Sequence, residues 1–264
     1  MKPSAETTRR HGAPPFSAAL LHGGPGAAGE MAPVAQTLAA RGHCVLEPWQ
    51  SEISVAGQVA ELRRQLESAF AGPAVLIGFS WGAWLGCLLA AQHPGLVSKL
   101  VLVGCPPFEA RCAAEIAPAR RARLHPAEWQ ALTALLKGPG METADGLARA
   151  LHLLEKADAF APLPDLPRPA LSFDRRIFAA VWAEAGGMRR SGALLRAVAR
   201  IRCPVLALHG SHDPHPAEGV RRPLQDLLPE ARFRLLPRRG HRPWSETHAR
   251  TAFFRALDQA LAPS

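Results

Sequence analysis

Tyrosine and asparagine are absent from this 264-residue chain, and lysine is scarce: Lys2, Lys99, Lys137 and Lys156 are the only four among 31 basic residues. That bias is what a GC-rich genome produces. The net charge of +9 is therefore read as a basic surface and not as a nucleic-acid interface. The arginines are dispersed, with small pairs at Arg120-Arg121, Arg189-Arg190, Arg221-Arg222 and Arg238-Arg239. No apolar run reaches the roughly 18 residues a membrane helix needs. Residues 1–15 carry basic side chains but no apolar stretch of signal-peptide length. A cytoplasmic protein with neither a membrane nor a nucleic acid as partner is expected. The five cysteines (Cys44, Cys87, Cys105, Cys112, Cys203) are odd in number, scattered and free of any C-x-x-C pair. They predict buried, reduced thiols and not a disulfide framework. Internal repeats and long low-complexity tracts are lacking as well.

What is present is an alternation. Short apolar runs at 16–21, 44–47, 73–77 and 99–103 are separated by helical patterns at 31–40, 56–70 and 81–91. Strands alternating with helices in this way build a parallel sheet covered on both faces, an α/β fold. The rhythm stops at Pro106. From there to about Arg200 no strand is expected, only four or so helices rich in Ala, Leu and Arg, broken by a proline-dense stretch at 161–169. Strands resume at 204–208 and 233–236, with a helix near 217–228 between them and a last helix over about 243–261. The chain is thus expected to hold one sheet-based core, 1–105 and 201–264, interrupted by a helical insertion, 106–200.

The chemistry is concentrated at the ends of the predicted strands. Ser80 lies in Gly78-Phe79-Ser80-Trp81-Gly82, directly after an apolar run and directly before a helical one. A G-x-S-x-G in that position is a nucleophile elbow, a strained turn that lifts the serine oxygen above the sheet. A serine hydroxyl needs a base, the base needs an orienting carboxylate, and the reaction needs donors for the oxyanion. Asp213, in His209-Gly210-Ser211-His212-Asp213-Pro214, and His241, in Arg239-Gly240-His241, each follow a predicted strand. They complete the chain order Ser, Asp, His. The turn His22-Gly23-Gly24-Pro25-Gly26 lets backbone approach a substrate. The amides of Trp81 and Gly24 are the expected oxyanion donors, with Gly23 the alternative to Gly24, and His22 is expected to brace the loop. Gly23, Trp49, Trp182 and Trp244 are pocket candidates. Phe178 and Trp182, four residues apart, read first as a helix face packing on the core. Trp84 reads as core. A metal site at His209, His212, Asp213 and His215 is the weaker reading, since Pro214 and Pro216 break any shared helix face. No metal or cofactor is expected.

His22–Gly26, Gly78–Gly82, Gly210–Pro214 and Gly240-His241 together resemble the α/β-hydrolase superfamily, and His-Gly-Gly-Pro-Gly resembles its capped, prolyl iminopeptidase-like branch. The resemblance implies a doubly wound sheet with a helical cap over Ser80, and cofactor-free hydrolysis of an ester or amide. Two departures stand out. With so few residues before Phe16, the N-terminal hairpin of the family is expected to be reduced or absent. Phe79 also replaces a glycine common in iminopeptidases, whose cap carboxylates hold the substrate amine. Glu109, Glu115, Glu128, Glu155 and Glu184 are the acids available for that task here. The expected function is hydrolysis of a small or medium carboxylic ester. An aminopeptidase or amidase, C–C bond hydrolysis on the same scaffold, and a non-catalytic receptor on the same fold are the alternatives.

Overall fold

The structure, a computed structural model, describes residues 8–164, 171–248 and 250–262. Its centre is a seven-stranded sheet of β1 (Thr8–His11), β2 (Ala18–Leu21), β4 (Val45–Pro48), β5 (Ala74–Phe79), β6 (Val97–Val103), β8 (Val205–Gly210) and β9 (Arg232–Leu236). The spatial order is β1-β4-β2-β5-β6-β8-β9, and every pairing is parallel except β1 with β4. Two two-residue strands, β3 (Ala27–Ala28) and β7 (Ser172–Phe173), form a separate antiparallel ribbon. Among the described residues the N-terminal hairpin is reduced to the single edge strand β1.

Alternation along each strand sends side chains to two apolar layers. Ala19, Leu21, Leu76, Leu100 and Leu102 face one cluster, and Ala18, Leu20, Ile77, Val101 and Val103 face the other. The first layer is covered by α2 (Val55–Ala69), α3 (Trp81–Gln92) and α10 (Glu218–Leu227), the second by α1 (Ala32–Ala40) and α11 (Arg250–Leu261). Helix α3 has no polar face to offer solvent, and nearly all of it is buried, Trp84 included. Ser54 caps α2 by accepting the Gly57 N–H at 3.1 Å.

Between β6 and β8 lie α4 (Ala110–Ala113), α5 (Ile116–Arg123), α6 (Pro126–Lys137), α7 (Ala144–Asp158), α8 (Arg175–Arg190) and α9 (Ala193–Val198). They do not pack as one unit. Leu124, Leu132, Leu153 and Ala157 of the α5–α7 region form their own small cluster, while Ile177, Val181, Ala185, Leu194 and Val198 of α8 and α9 join the main core.

Two expectations need correction. The segment after Pro106 does hold a strand, β7, which exists because the backbone after Gly24 runs beside it: Ala27 pairs with Phe173 and Ala28 with Ser172. Two residues carry no readable alternation. The last helix does not run from 243 but breaks into a 3-10 turn at Pro243–Ser245 and α11. Buried Glu246 interrupts it by accepting three backbone N–H groups, from Phe160, Ala161 and Gly240, at 2.7–2.9 Å. Of the proline-dense stretch, residues 165–169 lie outside the described residues.

Candidate active site

Ser80 follows β5 and precedes the first turn of α3 with φ 50° and ψ −115°, one of two non-glycine residues at positive φ among the described residues. The flanking glycines have a steric reason. A Cβ on Gly78 would run into the Gly82 carbonyl, and one on Gly82 into the carbonyls of Leu21 and His22. Gly78 therefore lets the start of α3 fold back onto β5, and Gly82 lets it lie against the end of β2. The Ser80 amide donates to the Val103 carbonyl at 2.9 Å, fixing the turn to β6. Trp81 opens α3, so its N–H is left without a partner inside the helix, and its indole donates to Gln58 at 2.9 Å.

Asp213 follows β8 and His241 follows β9. A Cβ on Gly210 would meet the backbone of Arg239 and Gly240, so the two loops cross in contact. His241 Nδ1 lies 2.8 Å from Asp213 Oδ2; the carboxylate can only accept, so the imidazole donates. Asp213 Oδ1 is held by His215, whose ring Nδ1 and backbone N–H approach it at 2.7 and 2.9 Å. His209 Nε2 stands 3.7 Å from Oδ2 and donates to the His215 carbonyl at 2.8 Å. The His215 and His241 rings stack with centroids 4.4 Å apart. Gly104, at φ +52°, leaves room for this ring: a Cβ there would be 2.9 Å from His241 Nδ1.

The electrostatics follow from this crowding. Burial alone would raise the Asp213 carboxyl, but His241, His215 and His209 outweigh it and hold it well below the usual carboxylate range. Burial pushes His215 down to about 4, against the pull of Asp213. It is neutral near pH 7, carries its proton on Nδ1, and leaves Nε2 free as an acceptor. Asp213, His215 and His241 bring three ligand-type atoms within 4.8 Å, the spacing that follows when two imidazoles hydrogen-bond to one carboxylate. His212, named in the metal reading, points elsewhere, its ring packing on Phe160 at 5.4 Å.

Ser80, His241 and His215 open on one cavity of about 480 Å³, with Gly24 and Trp182 on its wall. Its lining is mostly apolar, with Leu136, Met141, Leu151 and Phe178 among the contributors. Gly23, Trp49 and Trp244 are not on that wall. The buried Glu30 carboxylate abuts Gly23, Trp49 sits under the Arg9 guanidinium at 5.0 Å, and Trp244 packs edge-on against Phe79 at 4.7 Å. His22 braces its loop, Nδ1 donating to the Gly23 carbonyl at 2.9 Å and Nε2 accepting the Gln50 N–H at 3.4 Å. Of the five candidate acids in the insertion only Glu155 reaches the cavity; Glu184, for example, accepts the Val55 N–H instead.

A family model for the alpha/beta hydrolase fold matches residues 20–243. The chain belongs to the α/β-hydrolase family of enzymes. The biotin biosynthesis bifunctional protein BioHC of Teredinibacter turnerae is 25% identical over 181 residues, 68% of this chain and 32% of that protein. The α/β-hydrolase chain thus spans about a third of that curated relative. Among solved structures, VinJ superposes with a TM-score of 0.69 at 22% identity, covering 96% of this chain and 93% of its own. The proline iminopeptidase of Mycobacterium smegmatis gives 0.62 at 20% identity, with the same coverage of both chains. At such identities these two likenesses speak to the fold.

Sequence reasoning missed Gly104, Glu246 and the second role of His215. Gly104 was visible only as the end of a strand, Glu246 only as an acid in a supposed helix. His215 was visible as a histidine two residues after Asp213, but nothing in the spacing shows that its ring turns back onto the same carboxylate.

Proposed function

We propose that this α/β hydrolase cleaves a small or medium carboxylic ester through Ser80, His241 and Asp213. The observation that carries the reading is the 2.8 Å bond from His241 to a buried Asp213, with His241 sharing one cavity with Ser80, which is held at positive φ. His241 Nε2 takes the hydroxyl proton as Ser80 Oγ attacks the carbonyl carbon. The amides of Trp81 and Gly24 receive the oxyanion. As the tetrahedral centre collapses, the alkoxy group leaves with the proton from His241, and the acyl group stays on Ser80. Water repeats the sequence and releases the acid. Asp213 keeps the Nδ1–H tautomer of His241 and stabilises its imidazolium, and His215 fixes the second carboxylate oxygen. Residues 106–200 serve as the cap over this site, and no cofactor takes part. The apolar wall fits a medium acyl chain, and the site acts on a free small molecule.

The test is a chromogenic panel of short and medium nitrophenyl esters beside proline and alanine nitroanilides, with wild type and Ser80→Ala. Ester turnover is expected, with kcat lowered on the order of 10⁴-fold or more in the variant. Turnover retained by Ser80→Ala refutes the mechanism. Preference for the anilides transfers the site to amide chemistry. A reactive-serine probe that fails to label Ser80 favours a receptor.

A further inference from the structure

The charged groups on the cavity wall are unequally matched. Arg120 makes two 2.7 Å bonds to Asp158, and Arg242 donates to Glu30 at 2.6 Å. Glu155 is engaged as well. Arg189 also lines the cavity, yet among the described residues its guanidinium has no carboxylate or carbonyl partner. It lies over the face of buried Trp84, 5.4 Å from the ring centroid. Arg189 is half-buried, and burial and neighbouring Arg190 both disfavour its charge. A poorly solvated cation without a counter-ion, on the wall of a substrate cavity, is relieved when an anion arrives.

Helix α8 sets where that anion would sit. Phe178 lies against the oxyanion loop, 3.9 Å from where a Gly24 Cβ would be. Trp182 is one turn further on, its ring 6.0 Å from that of Trp81. Arg189 is 11 positions after Phe178, which returns it to the same helix face about 16 Å along the axis. A long side chain on a helix leans back toward the N-terminus, and the Arg189 guanidinium lies over Trp84, whose ring is 5.9 Å from that of Trp182 on the same cavity.

Building on the serine-hydrolase reading, we propose that Arg189 is an anion subsite and that the substrate's acyl chain ends in a carboxylate several carbons from the scissile ester. The wall favours this over an ammonium group because Glu30, Glu155 and Asp158 are already engaged. The guanidinium offers a planar pair of donors to a carboxylate, and the apolar stretch between Phe178 and Arg189 takes the methylenes.

The experiment compares the nitrophenyl monoester of suberic acid with nitrophenyl octanoate, matched in chain length, on wild type, Arg189→Gln and Arg189→Lys. The readout is the ratio of kcat/KM between the two esters, which is insensitive to the fraction of folded enzyme. Wild type is expected to favour the carboxylated ester on the order of 10- to 100-fold. Arg189→Gln brings the ratio close to one, and Arg189→Lys keeps part of it. A wild-type ratio near one, or a ratio unchanged in Arg189→Gln, overturns the subsite and leaves the hydrolase reading standing. If wild type turns over neither ester, the hydrolase reading fails, and calorimetry decides the subsite separately. For that, Ser80→Ala is titrated with monomethyl and dimethyl suberate, and equal affinities overturn it.

Discussion

At the residue scale the unusual feature is one carboxylate shared by three imidazoles. His241 and His215 each donate to a different oxygen of Asp213, and His209 stands behind. Keeping His215 neutral has a consequence for stability. Its folded value of about 4 lies below the 6.5 of the free side chain. Between those values the unfolded chain binds a proton that the native state refuses. Stability is therefore full above about pH 6.5 and falls as pH is lowered toward 4. Buried His22 and partly buried His212 are lowered in the same direction and add to the slope. Urea unfolding from pH 8 to pH 4 should show this decline, and His215→Gln should flatten it. An undiminished slope in the variant would assign the effect to the other histidines.

Elements position the site through close backbone approaches that only glycine permits. Gly104 closes β6 with φ +52°, and its missing Cβ is where the His241 ring and carbonyl fit, at 2.8–2.9 Å. Gly104→Ala is expected to shift the imidazole and reduce kcat on the order of 10²-fold. The accompanying loss of stability should be about 1–3 kcal/mol. Ester kinetics and a denaturant curve on the same sample check both. Unchanged kcat with lowered stability would show that the loop, and not the ring, gives way. The edge strand β9 shows a different constraint: Arg232 and Arg234 are exposed on it, and charge at an open edge discourages pairing with another chain.

For the whole molecule, cohesion is uneven. Helices α8 and α9 share the main core, whereas α5–α7 rest on a small cluster of their own. Few shared apolar contacts mean low-energy local opening. Amide hydrogen exchange is expected to be faster in α5–α7 than in α3, with α8 closer to α3. Uniform protection across α5–α8 would show that the segment opens as one body. Both parts line one cavity, Leu136, Leu147, Leu151 and Leu154 from the looser part and Trp182 and Arg189 from the firmer one. Among the described residues no helix is long and apolar enough to cross a membrane.

The sequence by itself determined the sheet strands other than β1, most of their helices and the positions of Ser80, Asp213 and His241, because local periodicity and strand-end glycines are written in adjacent residues. The tertiary structure alone decided whatever depends on residues far apart in the chain. It showed that His215 turns onto Asp213, that Glu246 binds a distant loop and breaks the last helix, and that Trp49 and Trp244 lie off the cavity wall. Among the described residues it also left the Arg189 guanidinium without a counter-ion, beside Trp84. Each of these is a through-space contact between loops or helices, and one-dimensional spacing carries no record of it until the sheet fixes which loop ends meet.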